Sequence, residues 1–118
     1  GQYRRLISVS TGDWVHTKYR QNIHILMERY PVAFNRDNPL PLELGVFEKL
    51  IALPNLGMGD DELECTLLCW CARREYCRSA VLTGWRHDVD GQRVERISEL
   101  DMVSYNRRYD SFIRRGML

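Results

Sequence analysis

Apolar residues recur every three or four positions along most of the chain, which is the period of an amphipathic helix. The first such stretch runs from about Trp14 to Tyr30. Asp13 is suited to cap its start, and Pro31 closes it. Its apolar stripe comprises Tyr19, Ile23, Leu26, Met27 and Tyr30.

Two further helices are predicted in the middle of the chain. Pro41 is suited to the first position of a helix that ends near Ile51. Its expected buried residues are Leu44, Phe47, Leu50 and Ile51. A third helix covers residues 60–72, with Gly59 or Asp60 as its cap, and its main inner face is Leu63, Leu67 and Trp70. Because its other sides are also apolar, we expect this helix to be central.

The remainder of the pattern predicts a helix, a hairpin and a final helix. The fourth helix runs from about Arg74 to Leu82, and Gly84 stops it. Asp90-Gly91 joins two short runs in the manner of a type I′ hairpin. Ser98, with Asp101 three residues later, resembles a capping box. The last helix then extends to about Arg115, and its inner face is Met102, Tyr105, Tyr109, Phe112 and Ile113.

These elements predict a mainly α fold with a small β-hairpin, of the α+β class. We expect one domain over residues 1–118, with an N-terminal lead over 1–13 and the C-terminal helix over about 98–115. No repeat, low-complexity tract or linker suggests a boundary.

The amino-acid composition agrees with this predicted fold. The preference for arginine over lysine gives additional information about function. Hydrophobic residues make up 44% and charged residues 28%, and no apolar run is long enough to cross a bilayer, so we expect a soluble, cytoplasmic protein. The net charge is only +1, yet Lys18 and Lys49 are the only lysines among 17 basic residues. Arginine offers a planar fork of donors that suits phosphates. Compositional bias of the source genome is an equally good explanation.

The sequence does not predict a metal site or catalytic chemistry. The four cysteines (Cys65, Cys69, Cys71 and Cys77) contain no C-x-x-C pair, so free thiols of a reducing compartment are favoured over zinc. The carboxylates at residues 60–64 are better explained as a charged helix start. His87 beside Asp88 and Asp90 is better explained as a solvated pair. We expect no catalytic residue, no metal and no cofactor.

The order of motifs resembles the FinO/ProQ domain, a bacterial RNA-chaperone module, of which this chain would be an atypical member. The resemblance is carried by PLELGVFEKL, by a D-x-x-L-x-x-x-L-x-x-W helix, by RREYCRSAVLTGWRHDVDG and by the last helix that starts at a serine. It covers about residues 19–101.

The resemblance implies a compact helical domain with a concave basic face that binds structured RNA. Its expected partners are terminator-like hairpins with a single-stranded 3′ tail, such as those of small RNAs or mRNA 3′ ends. Tyr76 and Arg86 match the family's tyrosine and arginine on this face, which gives one aromatic surface and one phosphate clamp. Arg73 and Arg74 match the pair that precedes the tyrosine. Arg78, Arg93 and Arg96 complete the candidate RNA-binding set.

Three positions depart from the family pattern, and each introduces an acid. Glu43 and Glu64 stand where neutral or basic residues are usual. Gly59, Asp60 and Asp61 occupy the helix start that receives the RNA 3′ end in the family. Either RNA shifts onto the arginines, or the domain is a protein-interaction module that uses this acidic start. Tyr76 also suits the core, and Arg86 also suits a surface ion pair with Asp88 or a neighbouring acid across the hairpin.

Overall fold

Five helices and one two-stranded hairpin make up the described part of the protein. The computed structural model describes residues 13–118, with side chains from residue 17 onward. The elements are α1 (Asp13–Arg29), α2 (Val46–Ile51), α3 (Asp60–Cys71), α4 (Arg74–Thr83), β1 (Trp85–His87), β2 (Arg93–Arg96) and α5 (Glu99–Arg114). The predicted fold class is confirmed. The N-terminal lead and the predicted cap at Asp13 lie outside the described residues and side chains.

Helix α3 lies at the centre, as its apolar sides predicted. It packs against α1, α2 and α4, while α4 packs along α5. Its residues Leu63, Leu67 and Trp70 are buried, which confirms the predicted inner face. Trp70 also contacts Phe34 of the loop after α1, with ring centroids 5.6 Å apart. This loop therefore contributes to the core although it has no regular structure.

The second helix starts later than predicted, because the segment from Pro41 pairs with the hairpin instead. Leu42 forms a parallel bridge with His87. The His87 N–H donates to the Pro41 carbonyl (2.7 Å), and the Glu43 N–H donates to the His87 carbonyl (2.8 Å). The segment thereby satisfies the otherwise unpaired edge of β1. The prediction that Leu44 is buried is wrong, since this side chain is 66% exposed.

The turn of the hairpin is not the predicted two-residue type. A type I′ turn needs positive φ at both central residues. Gly91 has φ 93°, but the only non-glycine residue with positive φ in the described range is Asn55. The Asp88 carboxylate instead accepts the N–H groups of Asp90 (3.0 Å) and Gln92 (2.9 Å). This side-chain capping stabilises a longer connection.

The ends of α4 and the start of α5 follow the sequence closely. Gly84 stops α4 in the left-handed conformation at φ 70°. The Ser98 hydroxyl accepts the Asp101 N–H (3.1 Å), which confirms the predicted cap. Burial of Ile113 was predicted wrongly, since its side chain is 46% exposed. Because α5 has 16 residues and its partner α4 has 10, the last turns of α5 lack a full packing partner.

Candidate nucleic-acid interface

Tyr76 and Arg86 meet at the backbone of Leu42. The Leu42 N–H donates to the Tyr76 hydroxyl (2.8 Å), and Arg86 Nη1 donates to the Leu42 carbonyl (2.9 Å). The end of α4 and the turn into β1 position these two side chains on either side of one residue. The structure therefore brings the tyrosine and the arginine together, as the motif suggested.

Neither side chain presents the surface that the resemblance implied. Tyr76 is 1% exposed, so its ring offers no face on which a base can stack. Burial raises the pKa of its hydroxyl well above the usual range, so the hydroxyl stays protonated. The Arg86 side chain is 7% exposed, and its Nη2 donates to Asp101 Oδ2 (2.9 Å). Asp88, the acid that the sequence suggested by name, caps the turn instead, and Asp101 lies on α5 and not across the hairpin.

The charge of Arg86 is retained in this buried position. Burial alone lowers the pKa of the guanidinium. The neighbouring hydroxyls of Tyr105 and Tyr76 and the hydrogen bond to Asp101 outweigh this effect and raise the pKa. The group is consequently a permanent cation that holds β1, α5 and Leu42 together.

Three arginines at the start of α4 form a group that we call the α4 arginine cluster: Arg73, Arg74 and Arg78. Arg73 lies over the Trp70 ring, 4.5 Å from its centroid, and its Nη2 donates to the carbonyl of Arg36 (3.0 Å). Arg78 donates to the carbonyl of Asp37 (2.8 Å). Both therefore hold the loop after α1, and Arg73 Nη1 is buried without a hydrogen-bond partner.

Glu75 neutralises part of this cluster. Its carboxylate lies 3.2 Å from Arg73 Nη2 and accepts a hydrogen bond from Arg74 Nε (2.9 Å). Burial alone would raise the pKa of Glu75, but the hydrogen bond from Arg74 and the two positive charges lower it. The cluster therefore carries three cations and one ionised acid at neutral pH.

A second group, which we call the hairpin arginine pair, consists of Arg93 and Arg96. Both are exposed on β2, and their guanidinium carbons lie 5.1 Å and 5.0 Å from the centroid of the half-buried Trp85 ring. Arginine held near an aromatic ring keeps its donor edge free for phosphate. Together with Arg74, this pair is the exposed part of the predicted RNA-binding set.

Two further arginines, Arg108 on α5 and Arg115 directly after it, were not predicted to bind RNA. Arg108 donates to the Cys71 carbonyl (3.2 Å), and Arg115 lies 5.1 Å from the Phe112 ring centroid. The spacing of Phe112 and Arg115, three residues apart on a helix, was a usable signal for this contact. Nearby, a cavity of about 280 Å³ is lined by Ala72, Arg73, Arg74, Glu75, Phe112 and Met117.

The opposite end of α3 is acidic. Gly59 caps the helix without a side-chain bond, and Asp60 and Asp61 follow it with exposed side chains. Glu62 accepts a hydrogen bond from Asn22 and lies 3.5 Å from Lys18, and these contacts lower its pKa although burial alone would raise it. The carboxylates at 60 and 61 therefore add negative potential to the helix N-terminus.

The other two positions that depart from the family pattern, Glu43 and Glu64, have different surroundings. Glu43 is nearly buried and forms an ion pair with Lys49, with 2.6 Å between Nζ and Oε1. Glu64 is half-buried on α3, and Leu68, one turn later, is 45% exposed. One outer stripe of α3 is thus acidic and apolar instead of basic.

The side chains that the structure describes, from residue 17 onward, include no cluster of three or more histidine, cysteine or acidic groups placed to hold a metal. Within the same range, no helix has the length and apolar character that a membrane crossing requires.

Comparison with known proteins places the chain in a family. The model of the ProQ/FINO family matches residues 16–112. The solution structure of a ProQ homolog from Legionella pneumophila superposes with a TM-score of 0.60 at 23% identity, over 86% of this chain and 84% of that one. At this identity the likeness shows the fold alone. No curated protein is detectably similar in sequence. The extent of the family match shows that the chain belongs to the ProQ/FINO family, a family of non-enzymatic RNA-chaperone domains.

Proposed function

We propose that this domain binds structured RNA, a stem-loop followed by a single-stranded 3′ tail, through phosphate and shape contacts. Its targets would be small RNAs and mRNA 3′ ends in the bacterial cytoplasm, and its role would be post-transcriptional regulation. Double-stranded RNA hides its base edges in a deep, narrow groove, so proteins bind its phosphates, its hydroxyls and its shape. Arginine groups on a rigid helical scaffold suit this mode of binding and need no cofactor.

The observation that carries the proposal is the position of the exposed arginines within a domain of the ProQ/FINO family. Arg74 of the α4 arginine cluster and the hairpin arginine pair are exposed, and each presents donors toward solvent. Each cation that neutralises a phosphate releases a counterion, which gives salt-dependent affinity with little sequence preference. We therefore assign the phosphate contacts to these exposed arginines, with the half-buried Arg78 as a further contact. Arg73, whose Nη1 is buried and whose Nη2 is engaged, is assigned to holding the loop after α1.

We assign Tyr76 and Arg86 to positioning. Their hydrogen bonds to Leu42 keep the hairpin and the segment from Pro41 in register, and this determines where Arg93 and Arg96 lie. In this proposal the two residues support the interface from inside the domain.

The test compares RNA binding by the wild-type protein and by the double variant Arg93→Ala, Arg96→Ala. Fluorescence anisotropy with a terminator-like hairpin is measured at about 50 mM and about 200 mM salt. We expect the double variant to bind more weakly and its salt slope to fall by about 2, one for each lost phosphate contact.

The control is the variant Arg20→Ala, Arg29→Ala, which removes the same charge from two exposed positions of α1. If the two double variants weaken binding equally, the hairpin arginine pair has no specific role. If the wild-type protein does not bind the hairpin at low salt, the proposed function is wrong.

A specific observation favours one alternative, a protein-interaction module on the same fold. The acidic start of α3 is exposed at Asp60 and Asp61, and Leu68 adds an exposed apolar side chain to this helix. Such a surface suits a protein partner with a basic face. This alternative predicts weak RNA binding and a partner that is lost in the variant Asp60→Lys, Asp61→Lys.

A further inference from the structure

We propose that the cavity between the start of α4 and the end of α5, here called the α4–α5 pocket, binds an unpaired nucleotide of the bound RNA. Its lining residues are Ala72, Arg73, Arg74, Glu75, Phe112 and Met117. The base would lie against Phe112 and Met117, and its phosphate would bind Arg74. This inference rests on the proposed function and names a second contact site within it.

The size of the pocket suits one nucleotide. Its volume of about 280 Å³ falls just below the range of roughly 300–1,000 Å³ that is typical of drug-sized ligands. The pocket is open toward solvent. A single unpaired base is free to lie against its apolar side, whereas the bases of a duplex are paired and stacked on one another and are not available for this contact. The site is therefore selective for the single-stranded part of a target.

The chemistry of the lining separates an apolar side from a charged side. Ala72, Phe112 and Met117 offer carbon surface, and Phe112 supplies an aromatic ring against which any base can stack. The Arg115 guanidinium lies over this ring, 5.1 Å from its centroid, so a base would share the ring with a cation. An apolar ring surface next to cations matches a base attached to its phosphate.

The charged side leaves Arg74 available for that phosphate. Its side chain is 46% exposed, and the contact with Glu75 involves only its Nε. Arg73 is more constrained, since the Arg36 carbonyl and Glu75 both contact its Nη2. Arg74 is consequently the residue that contacts the phosphate, and the negative charge of Glu75 weakens this contact.

The location also explains how this chain tolerates an acidic α3 start. The pocket lies beyond the C-terminal end of α3, at the opposite end of the helix from Asp60 and Asp61. Twelve residues at about 1.5 Å each separate the two ends by roughly 18 Å, about two Debye lengths at physiological salt. Repulsion from those carboxylates is therefore largely screened at the pocket.

The test uses two RNAs with the same hairpin, one with a normal single-stranded tail and one whose tail nucleotides are abasic. We expect Phe112→Leu to weaken binding of the normal tail by about tenfold and to leave binding of the abasic tail unchanged, because only stacking is lost. Phe112→Trp keeps a stacking surface and should retain the wild-type affinity. Circular dichroism checks that each variant is folded.

A second variant tests the phosphate contact with a matched control. Arg74→Ala should weaken both RNAs, whereas Arg29→Ala, which removes an exposed arginine from the far end of α1, should not. Glu75→Gln should strengthen binding, and Glu28→Gln, with the same charge change on α1, should have a smaller effect.

Crosslinking locates the tail independently of any variant. A tail that contains 4-thiouridine should crosslink to Phe112 or Met117, as read by mass spectrometry. If wild-type protein binds the hairpin but crosslinks only elsewhere, or if Phe112→Leu binds both RNAs like wild type, the pocket assignment is wrong and the proposed function stands. The same two results are expected if the pocket binds a protein partner and not RNA, and they would likewise contradict the pocket assignment. If wild-type protein binds neither RNA, both proposals fail.

Discussion

Leu42 is the residue at which three parts of the chain are joined. Its N–H and its carbonyl are both buried, and each has one side-chain partner, Tyr76 and Arg86 respectively. A buried peptide group without a partner costs about 1–3 kcal/mol, so both side chains contribute directly to stability. The spacing of ten residues between them spans the last turns of α4, the stop at Gly84 and the first residues of β1.

This arrangement predicts a stability effect for Tyr76→Phe. The variant keeps the ring but leaves the buried Leu42 N–H without an acceptor, so we expect the free energy of unfolding to fall by about 1–3 kcal/mol. RNA affinity of the folded fraction should change by less than about threefold, because the hydroxyl is buried. Urea unfolding and anisotropy measure the two quantities.

The half-buried Tyr109 on α5 provides a comparison of the same chemical change, and Tyr109→Phe should leave stability close to wild type. Loss of RNA affinity by Tyr76→Phe without loss of stability would contradict the positioning role and indicate direct contact with RNA.

At the scale of elements, the hairpin depends on a glycine that the turn and the packing both require. Gly91 has φ 93°, and a Cβ at this position would lie 2.7 Å from Val32 Cγ1. The turn thereby packs closely against the loop after α1. Substitution would introduce backbone strain and a steric clash at the same point.

We therefore expect Gly91→Ala to lower the free energy of unfolding by about 1–3 kcal/mol. Gly45→Ala is the control, because Gly45 has φ −90° and a Cβ there meets nothing within 4 Å. This variant should be within about 1 kcal/mol of wild type. Thermal unfolding measures both, and equal stability of the two variants would disprove the close approach at the hairpin turn.

Charges of opposite sign lie at the two ends of α3, and the helix macrodipole favours this order. Asp60 and Asp61 face the positive end of the dipole, and Arg108 binds the Cys71 carbonyl at the negative end. The order that stabilises the helix thus opposes an RNA anion at its N-terminus. Acidic residues at positions 60 and 61 stabilise the helix, whereas basic or neutral residues there would favour binding of the RNA 3′ end.

The variant Asp60→Lys, Asp61→Lys should separate these two effects. We expect on the order of tenfold tighter RNA binding at low salt, since two repulsive charges become attractive. Helix stability should fall by about 0.3–1 kcal/mol for each charge placed against the dipole. Anisotropy and thermal unfolding report the two effects, and unchanged RNA affinity would show that bound RNA stays away from this end of α3.

For the whole molecule, the net charge of +1 means that any attraction to polyanions is local. Arginines concentrate around α4, the hairpin and the end of α5, whereas exposed carboxylates mark the start of α3. We expect weak retention on heparin at physiological salt, together with clear binding to a hairpin that fits the arginine surface. Strong heparin retention would indicate non-specific binding by charge alone.

Much of the fold was predictable because its signals are local. The bounds of α3 and α4, the stop at Gly84 and the cap at Ser98 follow from periodicity and capping, which depend on neighbours in sequence. The segment from Pro41 to Leu44 was assigned wrongly, because its structure depends on β1, more than forty residues away. A local pattern does not record a hydrogen-bonding partner at that distance.

The sequence by itself determined the presence of five helices and one hairpin, and the family, since propensity, capping and motif order are encoded along the chain. Tertiary structure alone decided that Tyr76 and Arg86 face inward, that Glu75 neutralises the arginines beside it, and that Phe112 and Arg74 share a pocket. The physical reason is that exposure and charge pairing depend on which surfaces meet when helices pack. The chemical type of a side chain limits which groups it is able to bind. Which of those groups it contacts depends on how its neighbours pack.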